Sequence, residues 1–147
     1  MNLSPHFTLA ELTFTDHREF VNVPDEASTK NLYRLAAFLE KIKTLLEDKP
    51  IIVNSAFRSK PVNDAVGSKD TSQHLLGCAA DIRVPGMPPE SVCKAIYESD
   101  LQYDQLIKEF VTPVGGGWTH VSIPNMPSTV ARGQALVIDH LGTREYL

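Results

Sequence analysis

A fold for this chain has to bring three residues together if they are to act as one. His74 and Asp81 flank Gly77 in Ser72-Gln-His74-Leu-Leu-Gly77-Cys-Ala-Ala-Asp81, and His120 lies in Trp118-Thr-His120-Val-Ser-Ile123. Two imidazoles and one carboxylate make a three-ligand set for a catalytic zinc ion, with a fourth position open. This mixed nitrogen and oxygen set suits zinc, although other divalent metals can enter such sites in vitro. Side chains alternate faces along a strand, so a strand over 118–123 sends Trp118, His120 and Ser122 one way and Thr119, Val121 and Ile123 the other. A strand over 79–83 groups Asp81 with Ala79 and Arg83. If these strands are neighbours in one sheet, Asp81 and His120 converge, and His74 arrives from the turn just before. Gly77 lets the backbone pass from that turn into the strand without a Cβ clash. Alone, a histidine and an aspartate at this spacing are an easy coincidence. His6, His17 and His140 read as ordinary surface or satisfied core histidines.

The rest of the pattern alternates helix and strand. Thr8-Leu-Ala-Glu11 has the spacing of a capping box and opens a short helix ending before Thr15. Asn22-Val-Pro24-Asp25 reads as loop. From Ser28 to about Leu46, apolar residues recur at Leu32, Leu35, Ala36, Leu39, Ile42 and Leu46, the spacing of an amphipathic helix. Pro50 ends it, and Ile51-Ile-Val53 is a short buried strand running into Ser55-Ala-Phe-Arg58. The polar segment Ser59–Thr71 reads as loop, with one helical turn near Val62–Val66. Ala79–Arg83 is a strand, and Glu90–Glu98 a second amphipathic helix through Val92, Cys93, Ile96 and Tyr97. Leu106–Phe110 and Trp118–Ile123 are strands around a loop containing Gly115-Gly-Gly117. In the tail, Ala135-Leu-Val-Ile138 adds an edge strand or a helical turn.

A chain of 147 residues with 42% hydrophobic and 22% charged residues is expected to form one domain, 1–147, able to bury a core. A net charge of -4 and a pI near 5.7 argue against nucleic acid as the main partner, because phosphate binding relies on clustered Lys and Arg. No apolar run approaches the roughly 20 residues that cross a bilayer, so membrane insertion is not expected. Met1-Asn-Leu-Ser-Pro-His6 lacks a basic segment followed by an apolar one, which leads us to expect synthesis in a cytoplasm without secretion. Cys78 and Cys93 do not form a CxxC site and read as free thiols of a reducing compartment, with a disulfide or a Cys78 ligand as the alternatives. No feature points to an oligomer, and a monomer is the default.

Taken together, Ser72-x-His74-x-x-Gly77-x-Ala79-x-Asp81 and Trp118-x-His120 resemble the zinc-binding signature of the D-alanyl-D-alanine carboxypeptidase family. That family belongs to the larger group of lysostaphin-like, D-Ala-D-Ala and hedgehog-type metallopeptidases. Ser4-Pro-His-Phe-Thr-Leu-Ala-Glu11-Leu resembles the opening of its small phage and prophage members. Ser55-Ala-Phe-Arg58-Ser resembles the family's Ser-Gly-Tyr-Arg-Ser element, with Val62-Asn63-x-Ala-Val66-Gly67 following. The resemblance covers a core of about 3–124 and leaves 125–147 as a C-terminal extension.

The resemblance implies an α+β fold, with a small, mainly antiparallel sheet carrying the site and helices packed on one side. It implies one zinc ion per chain on His74, Asp81 and His120. Arg58 would lie beside the metal as a catalytic and substrate-binding group, Ser72 would contact substrate or simply cap its turn, and Trp118 would contact substrate or pack in the core beside the metal. Gln73 and Asn63 would be scaffold. Relatives carry Glu-Phe-Gly-x-Trp-x-His, and here Val111-Thr-Pro-Val-Gly115 stands as an insertion between Glu109-Phe110 and Gly116-Gly-Trp118. Glu109 is the candidate general base, with the insertion as a longer hairpin loop near the cleft; Asp104 and Asp70 are poorer candidates. Position 117, where other branches place an acid, is Gly. Ala56 and Phe57 replace a common Gly and Tyr, so a hydroxyl that could touch substrate is lost at Phe57. The implied activity is hydrolysis of an amide in the peptidoglycan stem peptide, carboxypeptidase-like or endolysin-like, the latter including a cut at L-Ala–D-Glu. The implied setting is a host cytoplasm or phage virion, with action on the wall after release. The rival reading is a zinc-stabilised wall-binding or virion-associated module without catalysis.

Overall fold

The computed structural model describes residues 1–147, and local capping chemistry sets its first two helices. The Thr8 hydroxyl accepts the Glu11 N–H while the Glu11 carboxylate accepts the Thr8 N–H, closing a capping box on α1 (Leu9–Leu12). Helix α2 (Glu26–Leu45) starts before the expected Ser28, because the Asp25 carboxylate caps it by accepting the Ser28 N–H at 2.8 Å. Its buried stripe of Leu32, Leu35, Ala36, Leu39 and Ile42 is the one the spacing predicts.

After β1 (Ile52–Ser55) come α3 (Lys60–Ala65) and a 3₁₀ turn (Gln73–Leu76). β2 (Ala79–Arg83) leads to α4 (Pro89–Tyr97), then β3 (Gln105–Glu109), β4 (Trp118–Ser122), β5 (Gln134–Asp139) and β6 (Gly142–Glu145). The strands form one sheet in the order β1-β2-β4-β3-β5-β6. Every neighbouring pair is antiparallel except β3–β5, so the α+β fold with a mainly antiparallel sheet is present.

The tail departs from expectation. Ala135–Ile138 is neither an edge strand nor a helical turn: it lies in β5, an interior strand parallel to β3. The edge belongs to β6, whose four residues are all exposed, so no apolar alternation announces it.

Register decides which residues share a face. Ala80 and Leu106 both stand opposite Val121, and all three join α2 and α4 in one buried cluster. Asp81 and Ile107 both stand opposite His120, one residue out of phase, and therefore on the other face. A bulge between Val53 and Ser55 sets Ser55 opposite Asp81 and turns the chain toward Arg58. Cys78 and Cys93 are both free and buried.

Candidate metal centre

Neighbouring strands bring two of the three predicted ligands together, since Asp81 and His120 are cross-strand partners with Nδ1 of His120 2.9 Å from Oδ1 of Asp81. The third comes from the 3₁₀ turn, where Nε2 of His74 lies 3.4 Å from the same oxygen. Ser72 caps that turn by accepting the His74 N–H at 3.2 Å. Gly77 ends it at φ +75°, where an added Cβ would sit 2.8 Å from the Ser28 carbonyl oxygen. A larger residue there would push the turn off α2 and displace His74.

One ligand atom from each of the three residues falls within 4.8 Å of the others. Donors on a tetrahedral zinc with bonds of ~2.1 Å stand ~3.4 Å apart, and the two histidine nitrogens lie 2.9 and 3.4 Å from Oδ1 of Asp81, on either side of that value. Protonation fits as well. Nδ1 of His74 lies 2.6 Å from the Ala56 carbonyl oxygen, which can only accept, so Nδ1 carries the proton and Nε2 keeps its lone pair. Burial lowers the pKa of His74 and keeps it neutral. Burial alone would raise Asp81, but the neighbouring His74 and His120 hold its carboxyl well below the usual range. A neutral imidazole and an ionised carboxylate are the forms that bind metal.

Arg58 is fixed beside this cluster by three contacts. Its Nε donates to Ser55 Oγ at 3.1 Å, Nη1 approaches Asn63 Oδ1 at 3.5 Å, and Nη2 meets Asp81 Oδ2 at 3.2 Å. Burial opposes its charge, and Asp81 and Glu109 favour it. Glu109 stands opposite Trp118 at the end of β3, with Oε1 3.8 Å from Nδ1 of His120. Burial, and then the Asp81 charge, push its pKa up from the ordinary glutamate value, against His120 and Arg58.

All seven predicted site residues, Arg58, Ser72, His74, Asp81, Glu109, Trp118 and His120, line one cleft of about 540 Å³. Asp81 and Glu109 are its only carboxylates. The poorer base candidates lie elsewhere: Asp70 pairs with Lys60, and Asp104 is tied up by Arg132. The insertion is a loop beyond the Glu109–Trp118 pair and leaves that pair in register. Phe57 is 5% exposed and belongs to the core, so the missing hydroxyl faces packing rather than substrate. Asn63 and Gln73 act as scaffold: Asn63 donates to the Lys69 carbonyl, and Gln73 to Asp104, Ile123 and Asn125.

Three features escaped the sequence: the Ser55 brace on Arg58, the Ala56 carbonyl that fixes the His74 tautomer, and the cleft wall formed by Val66, Ser68 and Phe110. The Ser55 brace has a signal in hindsight, since its hydroxyl precedes Arg58 by less than one helical turn. A backbone carbonyl carries no residue signal at all.

Residues 5–122 match the family model described as Peptidase M15, a span that contains every residue of the cleft. Over 44 residues the chain is 43% identical to a zinc D-Ala-D-Ala carboxypeptidase of Streptomyces albus G. That stretch covers 30% of this chain and 17% of the relative.

Proposed function

Because the chain belongs to the peptidase M15 family, we propose that it is a zinc-dependent peptidase hydrolysing an amide in the stem peptide of bacterial peptidoglycan. The named activity of the Streptomyces relative supports the metal and the substrate class. The observation that carries the reading is the place of Glu109, 3.8 Å from His120 despite the inserted loop. A carboxylate there can do more than hold a fold together.

His74, Asp81 and His120 would hold the ion, which when bound supplies Lewis acidity to a carbonyl oxygen and acidifies water. Arg58 holds its planar charge beside the ligands and stabilises negative charge growing on the carbonyl oxygen as the C–O bond forms. Glu109 takes a proton from the attacking water and returns it to the amine nitrogen as the C–N bond breaks. Its upward-shifted pKa suits a group that must both accept and release a proton. Ser72 and Trp118, which also line the cleft, contact the peptide. Substrates with D-residues or a free C-terminal carboxylate suit Arg58.

Zinc-loaded protein incubated with purified peptidoglycan should release new amines, and a chelator should stop it. Mass spectrometry of the fragments then names the bond and separates carboxypeptidase from endopeptidase action. Glu109→Gln should keep stoichiometric zinc and lose activity by about 10²- to 10⁴-fold. Zinc binding with intact peptidoglycan in every arm would mark a binding module instead.

A further inference from the structure

Phe110 follows the proposed base and adopts φ +53°, a left-handed conformation that bulky residues seldom take. Two contacts impose it. The Phe110 N–H donates to the Ile138 carbonyl of β5 at 2.8 Å, extending the β3–β5 ladder past Glu109. From the far end of the loop, Gly117 presses so close that an added Cβ would lie 2.5 Å from the Glu109 carbonyl oxygen. The chain therefore turns back sharply at Phe110 and delivers its ring to the cleft, 5.6 Å from the Trp118 ring.

Core packing does not account for that ring. Phe110 lies outside the buried cluster and its fringe, and is 43% exposed. Glycine would sit at this φ without strain, yet the chain spends an aromatic residue here. Backbone strain of this kind collects at ligand clamps. In the lining of the same cleft, Val66 is also exposed, at 44%.

We propose that Phe110 and Trp118 form an apolar shelf that holds an aliphatic side chain next to the scissile amide, making Phe110 a specificity-determining residue. The adjacent Glu109 carboxylate disfavours an acidic side chain at that place, so alkyl side chains are selected over carboxylates. The proposal rests on the peptidase reading for the identity of its substrate, but occupancy of the shelf can be read without turnover. Trp118 is the only tryptophan of the chain, and its fluorescence reports what binds beside it.

The test uses zinc-loaded wild type, Phe110→Gly and Phe110→Ala, with a synthetic stem pentapeptide ending in D-Ala-D-Ala as the probe. Both variants should weaken the saturable fluorescence change, and raise KM, by about ten-fold with little change in kcat, as expected for lost apolar contact. Only the glycine variant should keep the wild-type melting temperature, because it removes the ring and the strain together. Phe110→Tyr should restore binding. Wild-type affinity in both truncations overturns the shelf, as does a fall in kcat at constant KM, which would mean Phe110 merely positions Glu109. A wild type giving no saturable signal overturns it too. A saturable signal without any cleavage leaves the shelf standing and removes the hydrolytic reading alone.

Discussion

Three consecutive glycines at 115–117 offer a graded test of how the loop after Glu109 is built. Gly115 has φ +92° with open space where a Cβ would go, so Gly115→Ala meets backbone strain only, about 1 kcal/mol. At Gly116 a Cβ would touch Thr112 Oγ1 at 2.9 Å, the end of a side chain that can turn away, and Ala should stay within ~0.5 kcal/mol. Gly117 combines φ +91° with clashes against backbone atoms of Glu109, Phe110 and Val111 at 2.5 to 2.7 Å. Backbone cannot rotate aside. Strain plus overpacking gives about 3 kcal/mol for Gly117→Ala, a fall of roughly 10 °C in Tm for a domain of this size. Because the atom struck first is the Glu109 carbonyl oxygen, the strand end that carries the carboxylate must move as well. Displacement of a catalytic group by about 1 Å costs on the order of 10²-fold in rate. Urea unfolding and peptide hydrolysis, measured on all three variants, check both halves. Equal stabilities for Gly115→Ala and Gly117→Ala would refute the close packing, and full activity in a destabilised Gly117→Ala would refute the link from loop to Glu109.

Arg58→Lys should lower kcat/KM by about 10²-fold in the same hydrolysis assay, because an ammonium cannot make the forked contacts to Ser55, Asn63 and Asp81 at once. His120→Ala should lose stoichiometric zinc by elemental analysis while a chelator-treated wild type reaches the same metal-free level. Asp104 gives a pH prediction remote from the cleft. Burial would raise its pKa, but hydrogen bonds from Arg132 hold it lower than usual. A folded pKa below the unfolded value means that ionised Asp104 stabilises the fold above about pH 4, and that this contribution fades as pH falls through the folded pKa. The stability gap between wild type and Asp104→Asn, about 2 kcal/mol at pH 7 from hydrogen bonds to a charged group, should therefore close in acid, as read by urea melts.

The meeting of His74, Asp81 and His120 was legible because it depends on local periodicities that the sequence displays. Strand alternation places Asp81 and His120, and Gly77 marks the sharp turn that brings His74. Helix α2 is legible from one apolar stripe, but its start is not, because the Asp25 cap that moves it to Glu26 lies before the stripe begins. The C-terminal strands were poorly legible for a different reason. β5 gains its partner from β3, far back in the chain, and β6 is exposed throughout, so neither pattern records the pairing. Family matching over 5–122 stops short of both strands, although Phe110 is hydrogen-bonded to β5.

Glu109 lies eleven positions before His120 in the sequence, yet its carboxylate comes within 3.8 Å of that histidine, and the reason lies in how a hairpin works. Across an antiparallel pair, the distance between two side chains depends on register and not on the length of the loop that joins the strands. Glu109 stands opposite Trp118 and Ile107 opposite His120, so the carboxylate sits one pleat from the last ligand however many residues follow Phe110. Insertion at 111–115 therefore leaves the residues that face His74, Asp81 and His120 unchanged: no residue of the insertion lines the cleft, and Val111, Thr112 and Pro113 lie instead beside Val137, Asp139 and Arg144. The same reasoning explains why an acid at position 117 would be incompatible with this arrangement. A residue there needs φ near +91° and no Cβ, so the loop that keeps Glu109 in place also excludes the alternative position for a base.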